Sequence, residues 1–263
     1  MILDPESSKG AIEEIKALAP EIYTDLAKPA LQEVGSVGGR TVKALLAPIR
    51  GLLWGWEKIE ESIEVGIKKR FERIPEEQRK SPEPEIAVPL LQALSYTAHN
   101  ETLREMYLNL LANSMDERNN NVVHPSFVEI IKQMNSLDAK VFEKISAVTS
   151  YQSAINPTIE IQGTGTFYTG ATPEWYLGWT ILDYTEFDVS ASLIRLSKFG
   201  LIELMFDRTA GKDEYKILRD SQFLISILNF YQSKSPASIL EIGGTDSIIY
   251  TNEYGKQFKK ACM

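Results

Sequence analysis

Residues Asp188 to Leu204 read DVSASLIRLSKFGLIEL, and this phrase sets the expectation for the fold. Leu193, Leu196 and Phe199 recur at helical spacing, which gives one apolar helix face. Gly200 follows directly and predicts the helix stop, because glycine enters the left-handed conformation that ends helices at least cost. LIEL then begins a strand. The phrase is answered at the far end by SIIYTNEYGKQFKKACM, a short strand around Ile248, Ile249 and Tyr250 running into a capped terminal helix with Phe258 and Ala261.

A helix ending in FGLI, a β-ribbon and a closing helix after TNEYG is how many winged-helix domains read. Such domains bind either nucleic acid or protein. The ribbon between the two phrases is expected in DRTAGKDEYKILRD, whose charges alternate as an exposed wing requires. A DNA-reading helix carries Arg or Lys for phosphates and Asn, Gln or Arg for base edges. The helix here offers Arg195 and Lys198, with Ser190, Ser192 and Ser197 as smaller donors. Arg208, Lys212, Lys216 and Arg219 could add positive charge on the ribbon, but Asp207, Asp213, Glu214 and Asp220 largely cancel it. Nucleic-acid contacts through Arg195, Lys198, Arg208 and Lys216 are therefore the alternative reading, and a protein partner is favoured.

Composition points the same way. The 263 residues carry a formal charge of −8, which argues against a nonspecific nucleic-acid coat. Charge is uneven along the chain: residues 1–150 hold 18 basic and 23 acidic side chains, 151–186 hold 4 acidic and no basic, and 187–263 hold 10 basic and 9 acidic. The single cysteine, Cys262, cannot form an internal disulfide, which suits a reducing compartment. MILDPESSKG has neither a basic nor an apolar leader region, so no secretory signal is expected and the cytoplasm is the expected location.

The acid-only stretch 151–186 is rich in Thr, Gly and aromatics, a strand-and-turn composition read as an insertion between helical elements. Its GTGTFYTG lacks a following helix and does not match a dinucleotide fingerprint. The first half reads as helices. Val42, Leu45, Ile49, Leu52, Trp56, Ile59 and Ile63 alternate at three and four residues, which places them on one helix seam. Pro48 predicts a kink in it. Ala47, Gly51 and Gly55 repeat every fourth residue beside the seam and would let another backbone approach closely. The seam is read as a packing surface, inside the chain or against a second copy, which makes a homo-oligomer the expected state. The other reading is membrane activity through residues 41–56, since LLAPIRGLLWGW is apolar and carries two tryptophans. Lys43 and Arg50 interrupt that stretch, and it falls short of the ~20 residues a span needs.

After the charged linker IPEEQRKSPEPE, a helical hairpin is expected from IAVPLLQALSYTAHN and ETLREMYLNLLANSMD, with Leu103, Met106, Leu110 and Leu111 inward. Two further helices follow, with Ser126 and Ser136 as expected N-caps. The expected fold is mainly α with a smaller α+β part. Amphipathic helices occupy 1–80, the hairpin and following helices 81–150, a β-rich acidic insertion 151–186, and a winged-helix-like part 187–263.

Four runs carry a family resemblance: LAPIRGLLWGWEKIE (Leu46 to Glu60), LREMYLNLLANSMD (Leu103 to Asp116), HPSFVEIIKQMNSLDAKVF (His124 to Phe142) and the closing YTNEYGKQFKKAC. In order and spacing they resemble the abortive infection alpha family, whose ending is similar to LTPFGxxFxxAC. Asn252 and Glu253 depart from the TPFG turn of that ending, and residues 151–186 are idiosyncratic. The resemblance implies a bacterial or phage-related protein linked to defence against bacteriophage. It brings no catalytic residues.

Chemistry-bearing motifs are few. His99 and His124 have no His or Cys at metal-ligand spacing, and no G-x-S-x-G, Cys–His pair or phosphate-binding loop is present. Asp207 with Glu214 and Lys216 is a nuclease-like arrangement that could hold Mg²⁺, but so short a pattern more often marks a solvated ribbon. No enzyme, cofactor or metal is therefore expected. The expected function is that of an interaction or sensor protein in antiphage defence.

Overall fold

The structure, a computed structural model, describes residues 56–263, except the side chains of 56–62, 64, 95 and 96. The described chain is mixed α and β, with nine α-helices and a four-stranded sheet. It divides into two compact units. One holds the described residues up to Met134 together with Lys260–Met263, and the other is Asn135–Lys259.

The first unit is helical. Helix α1 (Trp56–Phe71) carries Lys68, Lys69 and Arg70 in its last turn, where the negative end of the helix dipole favours cations. Helices α2 (Pro84–Thr97) and α3 (Glu101–Ser114) form the expected hairpin. Pro84 stands at the start of α2, where its missing N–H costs nothing. The Asn100 side chain caps α3 by accepting the Leu103 N–H at 3.3 Å. Leu103, Met106, Leu110 and Leu111 are all buried, with Tyr107 and Leu108 beside them. Of the seam from Val42 to Ile63, only Ile63 has a described side chain, and it is fully buried. Leu45, Ala47, Ile49, Gly51, Leu52 and Gly55 lie outside the described residues, as does nearly all of segment 41–56.

Helix α4 (Ser126–Gln133) buries Phe127, Val128, Ile130 and Ile131. Ser126 is not its N-cap. Pro125 already has helical backbone angles, so Ser126 falls inside the first turn. Its N–H is accepted by His124 Nδ1 at 3.2 Å, so an imidazole takes the place of the expected hydroxyl.

The second unit opens with α5 (Ser136–Ser146). Its cap is Asn135 rather than Ser136, because Asn135 has the extended backbone that a cap requires and Ser136 is already helical. Asn135 Oδ1 accepts the Asp138 N–H at 2.9 Å, and Asp138 Oδ2 accepts the Asn135 N–H at 3.1 Å, a reciprocal capping box.

The sheet contains β1 (Tyr151–Ile161), β2 (Thr166–Phe167), β3 (Ile202–Met205) and β4 (Leu240–Thr251), in the order β2-β1-β4-β3 and antiparallel throughout. Strand β1 pairs with β4 along its whole length, from Tyr151↔Tyr250 to Ile161↔Leu240. The stretch read as an insertion therefore supplies an interior strand of the sheet.

Helix α6 (Glu186–Lys198) begins in a Thr185–Asp188 capping box and stops where expected. Gly200 has φ +73°, its N–H reaches Ser197 O at 2.9 Å, and the Leu201 N–H reaches Leu196 O at 3.1 Å. This paired closure satisfies carbonyls that a helix end otherwise leaves open. Strand β3 follows and pairs with β4 from Ile202↔Thr251 to Met205↔Ile248.

The expected ribbon is absent from DRTAGKDEYKILRD. Two helices, α7 (Lys212–Arg219) and α8 (Gln222–Lys234), stand between β3 and β4. Tyr215 and Leu218, three residues apart, share one helix face and pack with Ile155, Tyr176 and Leu224. Tyr215 Oη donates to Ser247 O at 2.9 Å and accepts the Ala210 N–H at 2.6 Å. A charged wing would leave this aromatic ring in water, and its burial decides for the helix. The terminal helix α9 (Glu253–Cys262) places Phe258 edge-on to Phe142, with ring centroids 5.5 Å apart.

Candidate functional site: a cationic cleft in the helical unit

Helices α1 and α3 enclose a cleft of about 490 Å³ within the first unit. Lys69, Arg70, Arg73 and Arg104 face it together with Glu105 and Asn109, so among the described residues four cations meet one carboxylate. Each cation is held differently. Arg70 is fixed: Nε donates to Asn109 Oδ1 at 2.5 Å, Nη1 to Gly66 O at 3.0 Å, and Nη2 to Glu105 Oε2 at 2.6 Å. Asn109 is fixed in turn, since its amide donates to Cys262 O at 3.1 Å and Met263 O at 3.2 Å.

Among the described residues the Arg104 side chain is held by a single hydrogen bond, Nη1 to Ala98 O at 2.9 Å. Its nearest carboxylate oxygens, on Glu101 and Glu105, are each 3.9 Å away, and its buried Nε has no hydrogen-bond partner among the described residues. Buried donors are normally satisfied, so this one marks a guanidinium that its own fold under-uses. Lys69 and Arg73 are exposed and make no ion pair among the described residues. The cleft thus combines a rigid cationic wall with three cations that retain hydrogen-bonding capacity.

The sequence reading passed over this site. Its signal lies in IKKRFER, where Lys69 and Arg73 stand four apart, and in Arg104, a cation in the first turn of α3. Cations are disfavoured near a helix N-terminus, so that placement needs a reason.

The residues singled out for nucleic acid are dispersed by role. Arg195 Nε and Nη2 grip Asp138 Oδ1 at 3.0 and 2.8 Å, and the Ser192 hydroxyl donates to the same oxygen at 2.8 Å. Asp138 is fully buried and also completes the α5 capping box, so one carboxylate joins two helices. Lys198, Arg208 and Lys216 are exposed. Of the nuclease-like group, Asp207 and Lys216 are exposed and Glu214 accepts a hydrogen bond from the Ser153 hydroxyl. Among the described residues, no group of three or more His, Cys, Asp or Glu side chains is placed to hold a metal ion. Trp56 and Ile59 lie on α1, and their side chains are outside those described. No described helix is long and apolar enough to cross a membrane.

A helical unit followed by an α+β unit closed by a capped terminal helix defines a protein of mixed class, and its sequence has a known family. The family model of abortive infection alpha matches residues 55–262, and the chain belongs to that family. None of the curated proteins and none of the solved structures matches it.

Proposed function

We propose that this chain is a non-catalytic interaction or sensor component of abortive-infection defence against phage. It acts in the cytoplasm through contacts with a partner protein or a second copy of itself. In this reading α6, β3, β4 and α9 make a winged-helix-like scaffold whose exposed surface meets protein.

The observation that carries the reading is the state of Arg195. The one guanidinium on the helix that would read DNA is bound to buried Asp138, where it serves the core. Apolar side chains stand out on the same unit: Leu182, Ile217 and Phe206 are exposed, and Phe187 projects edge-on from Phe223. Exposed aromatic and aliphatic groups suit a protein contact better than a phosphate backbone.

Phage challenge of bacteria producing the protein alone tests the defence role, with plaque number and host survival scored together. Plaque counts unchanged from the empty-vector strain would refute action without a partner and direct the search to co-expressed neighbours. Sedimentation at micromolar concentration tests self-association, and a strictly monomeric protein removes that part. DNA binding is the second reading, favoured only by exposed Lys198, Arg208 and Lys216. No gel shift by the wild type at low salt would eliminate it.

A further inference from the structure

The geometry points to a binding site in the α1–α3 cleft for a small anion bearing two or more phosphate charges, such as the diphosphate of a nucleotide. Four observations converge on it. The cleft volume, about 490 Å³, lies within the range of small-molecule sites. Among the described residues its lining is strongly unbalanced, with Lys69, Arg70, Arg73 and Arg104 against Glu105. A single carboxylate ligand would leave most of that charge uncompensated, whereas a diphosphate matches it. Among the described residues, the three cations other than Arg70 also have donors without an acceptor, as an incoming anion requires.

The fourth observation is preorganisation. Arg70 is locked by Asn109, Gly66 O and Glu105, and Asn109 is locked by two backbone carbonyls. The wall therefore loses little side-chain entropy when an anion arrives. Arg104 presents the opposite case: one bond to Ala98 O holds it, and its Nε has no hydrogen-bond partner among the described residues. An anion entering between α1 and α3 would supply the acceptors that this guanidinium lacks, in the forked geometry that Arg prefers for phosphate.

Helix ends alone do not explain the cluster. Lys69 and Arg70 suit the end of α1, but Arg104 stands in the first turn of α3, where the dipole opposes it. Both sets nonetheless face one hollow.

The test is calorimetric titration of the full chain at low ionic strength with inorganic pyrophosphate, ADP and a short DNA duplex. The wild type is compared with Lys69→Ala/Arg73→Ala and with Lys132→Ala/Lys140→Ala, which removes the same charge elsewhere. Saturable binding of pyrophosphate or ADP that weakens about tenfold or more only in the Lys69/Arg73 variant supports the site. If that variant loses its cooperative melt, Lys69→Gln/Arg73→Gln replaces it, because glutamine keeps most of the stem. No saturable binding by the wild type overturns the proposal. Equal weakening in both charge-removal variants overturns it too, since diffuse charge would then suffice. Tighter duplex binding through Lys69 and Arg73 than ADP binding would reassign the cleft to nucleic acid.

Discussion

The side-chain amide of Asn252 donates to the carbonyl oxygen of Gly200 at 2.9 Å, which joins the end of one helix to the start of another. The same amide reaches Glu203 Oε1 at 3.1 Å, and the Asn252 side-chain oxygen accepts the Gly255 N–H at 2.8 Å as the cap of α9. One residue of the closing phrase is thereby tied to two residues of the phrase FGLIEL. Asn252→Ala removes the cap and both amide bonds and is expected to cost about 1–2 kcal/mol. Urea unfolding against the wild type measures it.

Gly255 makes the same junction steric. A Cβ there would lie 2.0 Å from Leu201 O and 2.8 Å from Thr251 Cγ2, and a backbone oxygen cannot swing aside as a side chain could. Gly255→Ala is expected to destabilise by about 2 kcal/mol or more, although alanine is the better helix former. A melting temperature equal to that of the wild type would show that α9 shifts freely against Leu201.

The Asp138–Arg195 pair bears on how DNA binding is tested. Arg195→Ala strands a buried carboxylate, with an expected cost of about 2 kcal/mol after allowing for the partly exposed guanidinium. A lost gel shift in that variant would therefore report unfolding as readily as lost contact. Lys198→Ala is the cleaner probe and should leave stability within about 0.5 kcal/mol of wild type. A double-mutant cycle of Asp138→Asn with Arg195→Ala should give a coupling energy of about 1 kcal/mol or more, measured by denaturant titration.

Acid stability depends on a second carboxylate. The Arg118 side chain, hydrogen-bonded to Asp116 at 2.6 Å, holds that carboxyl below its ordinary range. The stabilisation is complete above the unfolded carboxyl's pKa of about 4 and is lost as pH falls through the lowered folded value. Asp116→Asn should be less stable than wild type at pH 7, and the gap should narrow on going to pH 3. Urea midpoints at both pH values check the sign, and a gap that widens on acidification would contradict it.

Cys262 reports opening of the first unit. It is fully buried, and burial pushes its thiol well above the ordinary range. Labelling by a disulfide reagent in native buffer is expected to be about a hundredfold or more slower than in denaturant. Comparable rates would mean that the last residues separate readily from α3.

Much of this architecture was legible from local pattern. The α2–α3 hairpin followed from apolar spacing, and the end of α6 followed from Phe199-Gly200, because both features are set within a few residues. The caps of α4 and α5 were read one or two positions late. The deciding quantity there is the backbone angle at Pro125 and Asn135, which composition does not report. The wing was misread because alternating charge in DRTAGKDEYKILRD fits a ribbon as well as a helix, and only the shared burial of Tyr215 and Leu218 separates the two. The cationic cleft escaped notice because its residues are distributed over two helices.

By itself, then, the sequence determined the helical first unit, the helix–glycine–strand phrase at Gly200, the acidic balance and the family. Each depends on periodicity, turn chemistry or residue identity, which are local or additive properties. Tertiary structure alone decided that β1 pairs with β4, that Arg195 belongs to Asp138, and that Lys69, Arg73 and Arg104 share one hollow. Those outcomes come from groups far apart in the chain competing for burial and for charge partners, and that competition is resolved only when the chain is packed.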